Sequence, residues 1–322
     1  PRMNGQASAR SGVPTRMIPP ALLARLASLD LVARAVVDGA LHGAHYTDRP
    51  GFSQEFAEYR DYMPGDDPRF IDWNAYARTD RTLLKLFEGE TNTRLLVLLD
   101  TSASMDAFGR RGVLGQARDR SDEAPTKLRY AAYLAAALAH IAGRQHDAAG
   151  LLTFDDAVRT FLAPRLGQAQ QVFHRLDELT PSGGSDWTEA FSYAASRMTK
   201  RGIIAAISDF YCDPADFGRA LRILGTRGHD LIAFHVLDAE ERQPRARGPL
   251  GGNVTLRDAE SGQVIEVDAA DLRTRYPERL DAHERALRRE AGGAGAHYVR
   301  LNADEPLDRA LLGYLRFRNR RP

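Results

Sequence analysis

Residues 97–105 read VLLDTSASM, an apolar run that stops at Asp100 and gives way at once to spaced hydroxyls, Ser102 and Ser104. Two later stretches share that character. "TPSGGSDWT" offers Ser185, Asp186 and Thr188, and "AAISDF" ends in Ser208 and Asp209. Hydroxyls and carboxylates without thiols or paired imidazoles are hard oxygen donors, suited to Mg²⁺, Mn²⁺ or Ca²⁺ rather than zinc. With neutral hydroxyls on the ion and carboxylates acting partly through water, the cation stays short of negative charge and draws an acidic group from a partner. That is binding chemistry. Read alone, DTSAS serves equally as a helix cap or an Asx turn. Its recurrence at the ends of several strands favours the metal.

Those strands are legible from their apolar runs. "RLLVLLD" is continuous, as in a strand covered on both faces. "AAGLLTFDD", "GIIAAISDF", "HDLIAFHVLD" and "HYVRLN" read as further strands. Between them, "KLRYAAYLAAALAHIAG", "QAQQVFHRLDEL", "SDWTEAFSYAASRM" and "PADFGRALRILGTRG" read as helices, the first Ala-rich and suited to close packing on a sheet. A helix from Asp271 to about Glu290 and another over "PLDRALLGYLRFR" close the chain. This alternation predicts an α/β fold with a doubly wound, mostly parallel sheet. Ligands of such sheets sit in the crevice beyond the carboxyl ends of the strands.

The flanking organisation is less regular. Residues 1–19 read as a flexible tail and 20–93 as an N-terminal helix and strand extension, leaving 94–322 for the sheet domain. From Pro20, Leu22, Leu26, Leu29 and Val36 fall near one helical face, while "LLKLFEG" alternates like a strand and "PGDDP" is a turn. Two insertions interrupt the sheet domain: a polar loop over 106–126, and a β-hairpin over about 253–268 expected to turn at Ser261–Gly262. His42 and His45 lack a further ligand set and read as loop residues; Cys212 reads as a small buried hydrophobe.

Composition excludes several classes. With 44 basic and 43 acidic side chains the formal charge is +1, so no whole-molecule field draws the protein to nucleic acid. Arg clusters at 110–120, 242–247 and 316–321 come without a recognised nucleic-acid module. A single cysteine rules out an internal disulfide and fits a reducing compartment. No window approaches a membrane span and no secretory signal is evident, so the expected location is cytoplasmic.

D-x-S-x-S after a buried strand, a Gly-Gly-hydroxyl-Asp loop and a strand ending in Ser-Asp resemble the von Willebrand factor A domain over about Arg94 to Asp238. The resemblance implies a metal-ion-dependent adhesion site. Asp100, Ser102 and Ser104 match its first motif, Ser185 its usual threonine, and Asp209 its last acid; Asp186 and Thr188 are secondary candidates. Serine in place of threonine keeps the hydroxyl and drops the methyl that helps fix it. Upstream, Arg60, Tyr62, Gly65, Asp66, Asp67, Arg69, Ile71, Asp72, Trp73, Ala77 and Arg78 form an R-x-Y-x-x-G-D-D-x-R-x-I-D-W-x-x-x-A-R string. That string resembles the bacterial domain-of-unknown-function 58 (DUF58) family, whose members are associated with MoxR-type AAA ATPases. Within the string, "PGDDPRFIDW" reads as a structural turn whose acids hold backbone amides and lock the extension in place.

The function so implied is a non-enzymatic, metal-dependent adaptor that presents Mg²⁺ to an acidic group of a protein partner, with a MoxR-type ATPase as the implied partner. The rival is a metal-assisted hydrolase such as a phosphatase. Against it, the position two after Asp100 is Ser102 rather than a second acid, and neither a nucleophile elbow nor a phosphate loop is present.

Overall fold

The computed structural model describes residues 29, 32–34, 36–37, 55–62, 71–88, 93–106, 125–242 and 252–318. Its elements run β1 (Glu55–Asp61), α1 (Trp73–Thr79), β2 (Leu83–Glu88) and β3 (Arg94–Asp100). They continue as α2 (Lys127–Arg144), β4 (Ala148–Phe154), β5 (Val158–Arg165), α3 (Ala169–Asp177) and α4 (Trp187–Arg197). Next come β6 (Ile203–Ser208), α5 (Pro214–Gly225), β7 (Asp230–Leu237) and the single turn α6 (Ala239–Arg242). β8 (Asn253–Arg257), β9 (Val264–Asp268), α7 (Ala269–Gly293), β10 (His297–Asn302) and α8 (Asp308–Arg318) complete the chain.

Six strands form one sheet in the order β10-β7-β6-β3-β4-β5, parallel except for β5. β3 lies inside it, and the side chains that alternate along it serve two separate cores. Leu95, Val97 and Leu99 join the core beneath α2, α3 and α8, where Leu29, Val32, Ala33, Val36 and Val37 also pack. Leu96 and Leu98 join the opposite core, formed with α4, α5 and α7. A strand covered on both faces has no solvent side to present, which is why its sequence is apolar throughout. The expected doubly wound architecture is the observed one. Among the described residues, no helix is long and apolar enough to cross a membrane.

The Ala-rich α2 is buried along most of its length, and its small side chains let the helix lie close to the sheet. Thr126 starts it, its hydroxyl accepting from Arg129 N at 3.2 Å. β5 was not expected from sequence. It is an antiparallel edge strand whose positions are half-buried or exposed and which carries Pro164, so it lacks the buried apolar run of its neighbours. The β4–β5 register shifts beside Gly150, where a Cβ would fall 2.5 Å from Leu162 O and 2.7 Å from Pro164 N.

Ahead of the sheet, β1 pairs antiparallel with β2; neither β1 nor α1 was anticipated as an element. Asp72 is buried, and its Oδ1 accepts from Ala75 N at 3.1 Å, capping α1. This supports the reading of the IDW segment as structural. Asp66, Asp67, Arg69, His42, His45 and loop positions 107–124 lie outside the described residues. The inserted hairpin is present as β8 and β9, with register Arg257↔Val264. Its connection is wider than the expected Ser261–Gly262 turn: Asp258 N donates to Gln263 O at 2.8 Å, and Gly262 takes the left-handed region at φ 71°.

Gly150→Ala must push the edge strand away from β4, because the atoms it meets are backbone. A loss of about 1–3 kcal/mol is expected in urea unfolding; an unchanged midpoint would show that β5 yields freely.

Candidate functional site

Asp100 ends β3 fully buried, and two hydrogen bonds fix its carboxylate. Oδ1 accepts from Ser102 N at 2.8 Å and Oδ2 from Ser208 Oγ at 2.6 Å. The first bond is the Asx turn that sequence alone allowed; the second comes from the neighbouring strand β6. Beyond it the chain tightens into a 3₁₀ turn over Ala103–Asp106, which brings Ser102 Oγ and Ser104 Oγ to 3.0 Å. Burial, and then the negative charge of Asp209, push the Asp100 carboxyl up to about 7 despite the bonds from Ser208 and Ser102.

The Gly-Gly loop ahead of α4 is tied to the same turn. Ser182 N donates to Thr101 O at 3.0 Å, and Ala103 N donates to Gly183 O at 3.0 Å. Asp155, at the end of β4, holds this loop from beneath: its Oδ2 accepts from Ser182 Oγ at 2.6 Å and its carbonyl from Asp186 N at 2.8 Å. Burial works against the Asp155 charge, but the bonds from Arg159 and Ser182 hold its carboxyl below the usual range. Asp156 Oδ1 accepts from Gly184 N at 2.8 Å. Gly183 sits at φ +61°, a backbone angle that favours glycine, and a Cβ there would fall 2.1 Å from Asp156 Oδ2 and push that side chain aside.

Ser185 follows this anchored pair, half-buried, on a loop bonded to both sides of Ser102. Asp186 is exposed and caps α4, its Oδ1 accepting from Glu189 N at 2.8 Å. Thr188 is exposed in the first turn of that helix.

Asp209, just past β6, is 1% exposed and accepts from Lys127 Nζ at 2.7 Å on Oδ2. Lys127 opens α2, is itself fully buried, and also donates to Glu241 of α6. Burial disfavours the ammonium, but the carboxylates of Asp209 and Glu241 outweigh it and keep Lys127 protonated. The turn after Asp209 is secured by Phe210, at φ 49°, whose N–H donates to Ser208 Oγ at 2.8 Å. The Phe210 ring packs 4.9 Å from Trp187 and 4.7 Å from Phe217. Cys212 is pushed up to about 12 by burial, then by Asp209 and Asp100, which makes it an unreactive thiol.

Ser208 at the end of β6 therefore bonds Asp100 itself, and the loop before α4 bonds the turn after it at Thr101 and Ala103. Their oxygens are of the type that a hard cation takes; among the described residues there is no group of three or more His, Cys, Asp or Glu that could hold a metal. Lys127, Glu241 and Asp155 were missed by sequence reasoning. The "TFDD" acids carried a visible signal as strand-end carboxylates, whereas a lysine at a helix start looks solvated until the fold buries it.

Residues 58–286 match the family described as "Protein of unknown function DUF58". The chain belongs to the DUF58 family. Uncharacterized proteins of Mycobacterium bovis and Mycobacterium tuberculosis are 32% identical to it over 292 residues, covering 88% of this chain and 86% of theirs. Among solved structures, it is similar to an aerotolerance-related membrane protein of Bacteroides fragilis, with 17% identity, 71% of this chain and 100% of that one covered, and TM-score 0.47. It is also similar to the SpRpn10 VWA domain, with 12% identity, 69% and 94% covered, and TM-score 0.39.

Two outcomes are expected of this DUF58 chain. Lys127→Met strands Asp209 and Glu241 without their cation and should cost roughly 3–5 kcal/mol in urea unfolding; a loss under about 1 kcal/mol would contradict the triad's role. In EDTA, a buried carboxyl raised from 3.8 to about 7 binds more protons folded than unfolded, so stability should fall as pH rises across that window. Asp100→Asn should flatten that part of a melting-temperature profile; an unchanged slope would assign it to other groups.

Proposed function

We propose that this DUF58 protein is a metal-dependent interaction adaptor. In this reading Asp100, Ser102, Ser104, Ser185 and Asp209 form a Mg²⁺-type adhesion site that takes an acidic side chain from a protein partner. The partner class we favour is a MoxR-type AAA ATPase, on the strength of the family. The observation that carries the reading is the buried Asp100 carboxylate, bonded by Ser102 and Ser208, with the Gly-Gly loop hydrogen-bonded to the turn that follows it at Thr101 and Ala103.

The donors suit such an ion. They are oxygens only, two of them neutral hydroxyls 3.0 Å apart, and the acids beside them are buried. A buried carboxylate held up near neutrality by burial and a like charge is a group that a divalent cation would favour in its ionised form. Ser102, Ser104 and Ser185 would supply hydroxyls, Asp100 and Asp209 negative charge directly or through water. The ion, when bound, supplies a Lewis-acidic position open to a carboxylate. The protein's own work is orientation: Ser208 fixes Asp100, Lys127 fixes Asp209, and Asp155 fixes the Gly-Gly loop.

Binding of a purified MoxR-type ATPase to the immobilised chain should be about tenfold or more stronger in Mg²⁺ than in EDTA, and Asp100→Ala should abolish the difference. Binding that ignores both changes would remove the metal from the account. Hydrolysis of a generic phosphate ester that requires Asp100 would replace the adaptor with an enzyme.

A further inference from the structure

The β8–β9 hairpin brings a fourth segment to the same place. Asp258 shapes its loop: Oδ1 accepts from Glu260 N at 2.9 Å, Oδ2 from Ser261 Oγ at 2.7 Å, and the carbonyl from Gly262 N at 3.0 Å. The loop so braced delivers the Glu260 carboxylate to the Asp100 site. A Cβ on Gly184 would lie 3.3 Å from Glu260 Oε2 and 3.0 Å from Asp156 Oδ1, which places both acids against the Gly-Gly loop. The Ser104 hydroxyl interacts with the Glu260 carboxylate. Oε1 of Glu260 is buried, with no hydrogen-bond partner among the described residues.

This placement is unfavourable as it stands. A carboxylate oxygen buried without a donor loses its hydration and gets nothing in return. The charges of Asp209, Asp258 and Asp156, all of its own sign, act on Glu260. A hard cation beside Ser104 would relieve the repulsion and satisfy the orphaned oxygen together.

Resting on the metal-site reading above, we infer that Glu260 is an internal carboxylate ligand of that cation, held where a partner's acid would bind, so that a partner must displace it. The hairpin is built to yield. Val254, Ala269 and Leu272 form a small core of their own with Leu256, Val267 and Tyr276, separate from both cores of the sheet. The loop can therefore withdraw Glu260 without unpacking β3 or β6.

The test uses the full chain, with Mn²⁺ binding followed by calorimetry and by the electron paramagnetic resonance signal of the ion. Glu260→Gln is expected to weaken Mn²⁺ about tenfold or more. At saturating Mn²⁺ it is also expected to bind a short glutamate-containing peptide more tightly than the unmodified chain. Glu260→Asp, with the charge kept and the reach shortened, should fall between the two in both measurements. If Asp100→Ala abolishes Mn²⁺ binding while Glu260→Gln leaves it unchanged, the internal ligand is disproved and the metal site stands. A peptide affinity unmoved or lowered by Glu260→Gln disproves the displacement. Absence of Mn²⁺ binding by the unmodified chain overturns the metal reading and this inference with it.

Discussion

The carboxylate of Asp100 is a negative group placed at the end of a strand with no solvent face, next to a second acid. Burial and like charge both oppose its ionisation, so its surroundings must repay what they take from it. Ser208 from β6 and Ser102 from the following turn supply two hydrogen bonds. The charge of Asp209 works against Asp100, and Asp209 itself accepts from Lys127. The crevice is thereby left with its donors arranged around a carboxyl that burial and a like charge hold up near neutrality. The rest of the design follows from that imbalance.

Rigidity around it comes from the acids that tie the surrounding loops together. Asp155 pins the Gly-Gly loop from the end of β4, and Asp156 holds Gly184. The Lys127–Asp209–Glu241 group joins the start of α2, the end of β6 and α6, each side chain all but removed from solvent. A buried triad of this kind is poor evidence for net stability, but removing any one member leaves the others exposed to the full cost of burial. Its effect is to fix the position of Asp209. The aromatic packing of Phe210 between Trp187 and Phe217 holds the same turn from the other side.

Much of this was legible before folding. Runs such as RLLVLLD and GIIAAISDF announce their strands because burial on both faces leaves no polar positions. Those runs in turn locate Asp100 and Asp209 at the same edge of the sheet. β5 escaped notice because an edge strand with Pro164 and no fully buried position has no such run. Lys127, Glu241 and Glu260 escaped for a different reason. Charged residues at a helix start, in a short helical turn and in a hairpin loop are ordinary surface choices, and only the tertiary fold gathers them around β6 and the Gly-Gly loop. Asp186 shows the converse: a residue of the right type in the right loop whose Oδ1 is taken by its own helix.

The central claim is that a divalent ion rests where the loops after β3 and β6 meet the Gly-Gly loop. Anomalous diffraction from a crystal of the chain grown with Mn²⁺ addresses it directly. The account predicts one strong peak among the oxygens of Asp100, Ser102 and Ser104, with Ser185 and Asp209 turned toward it. A crevice with no peak at saturating Mn²⁺, or a peak elsewhere on the molecule alone, would contradict it.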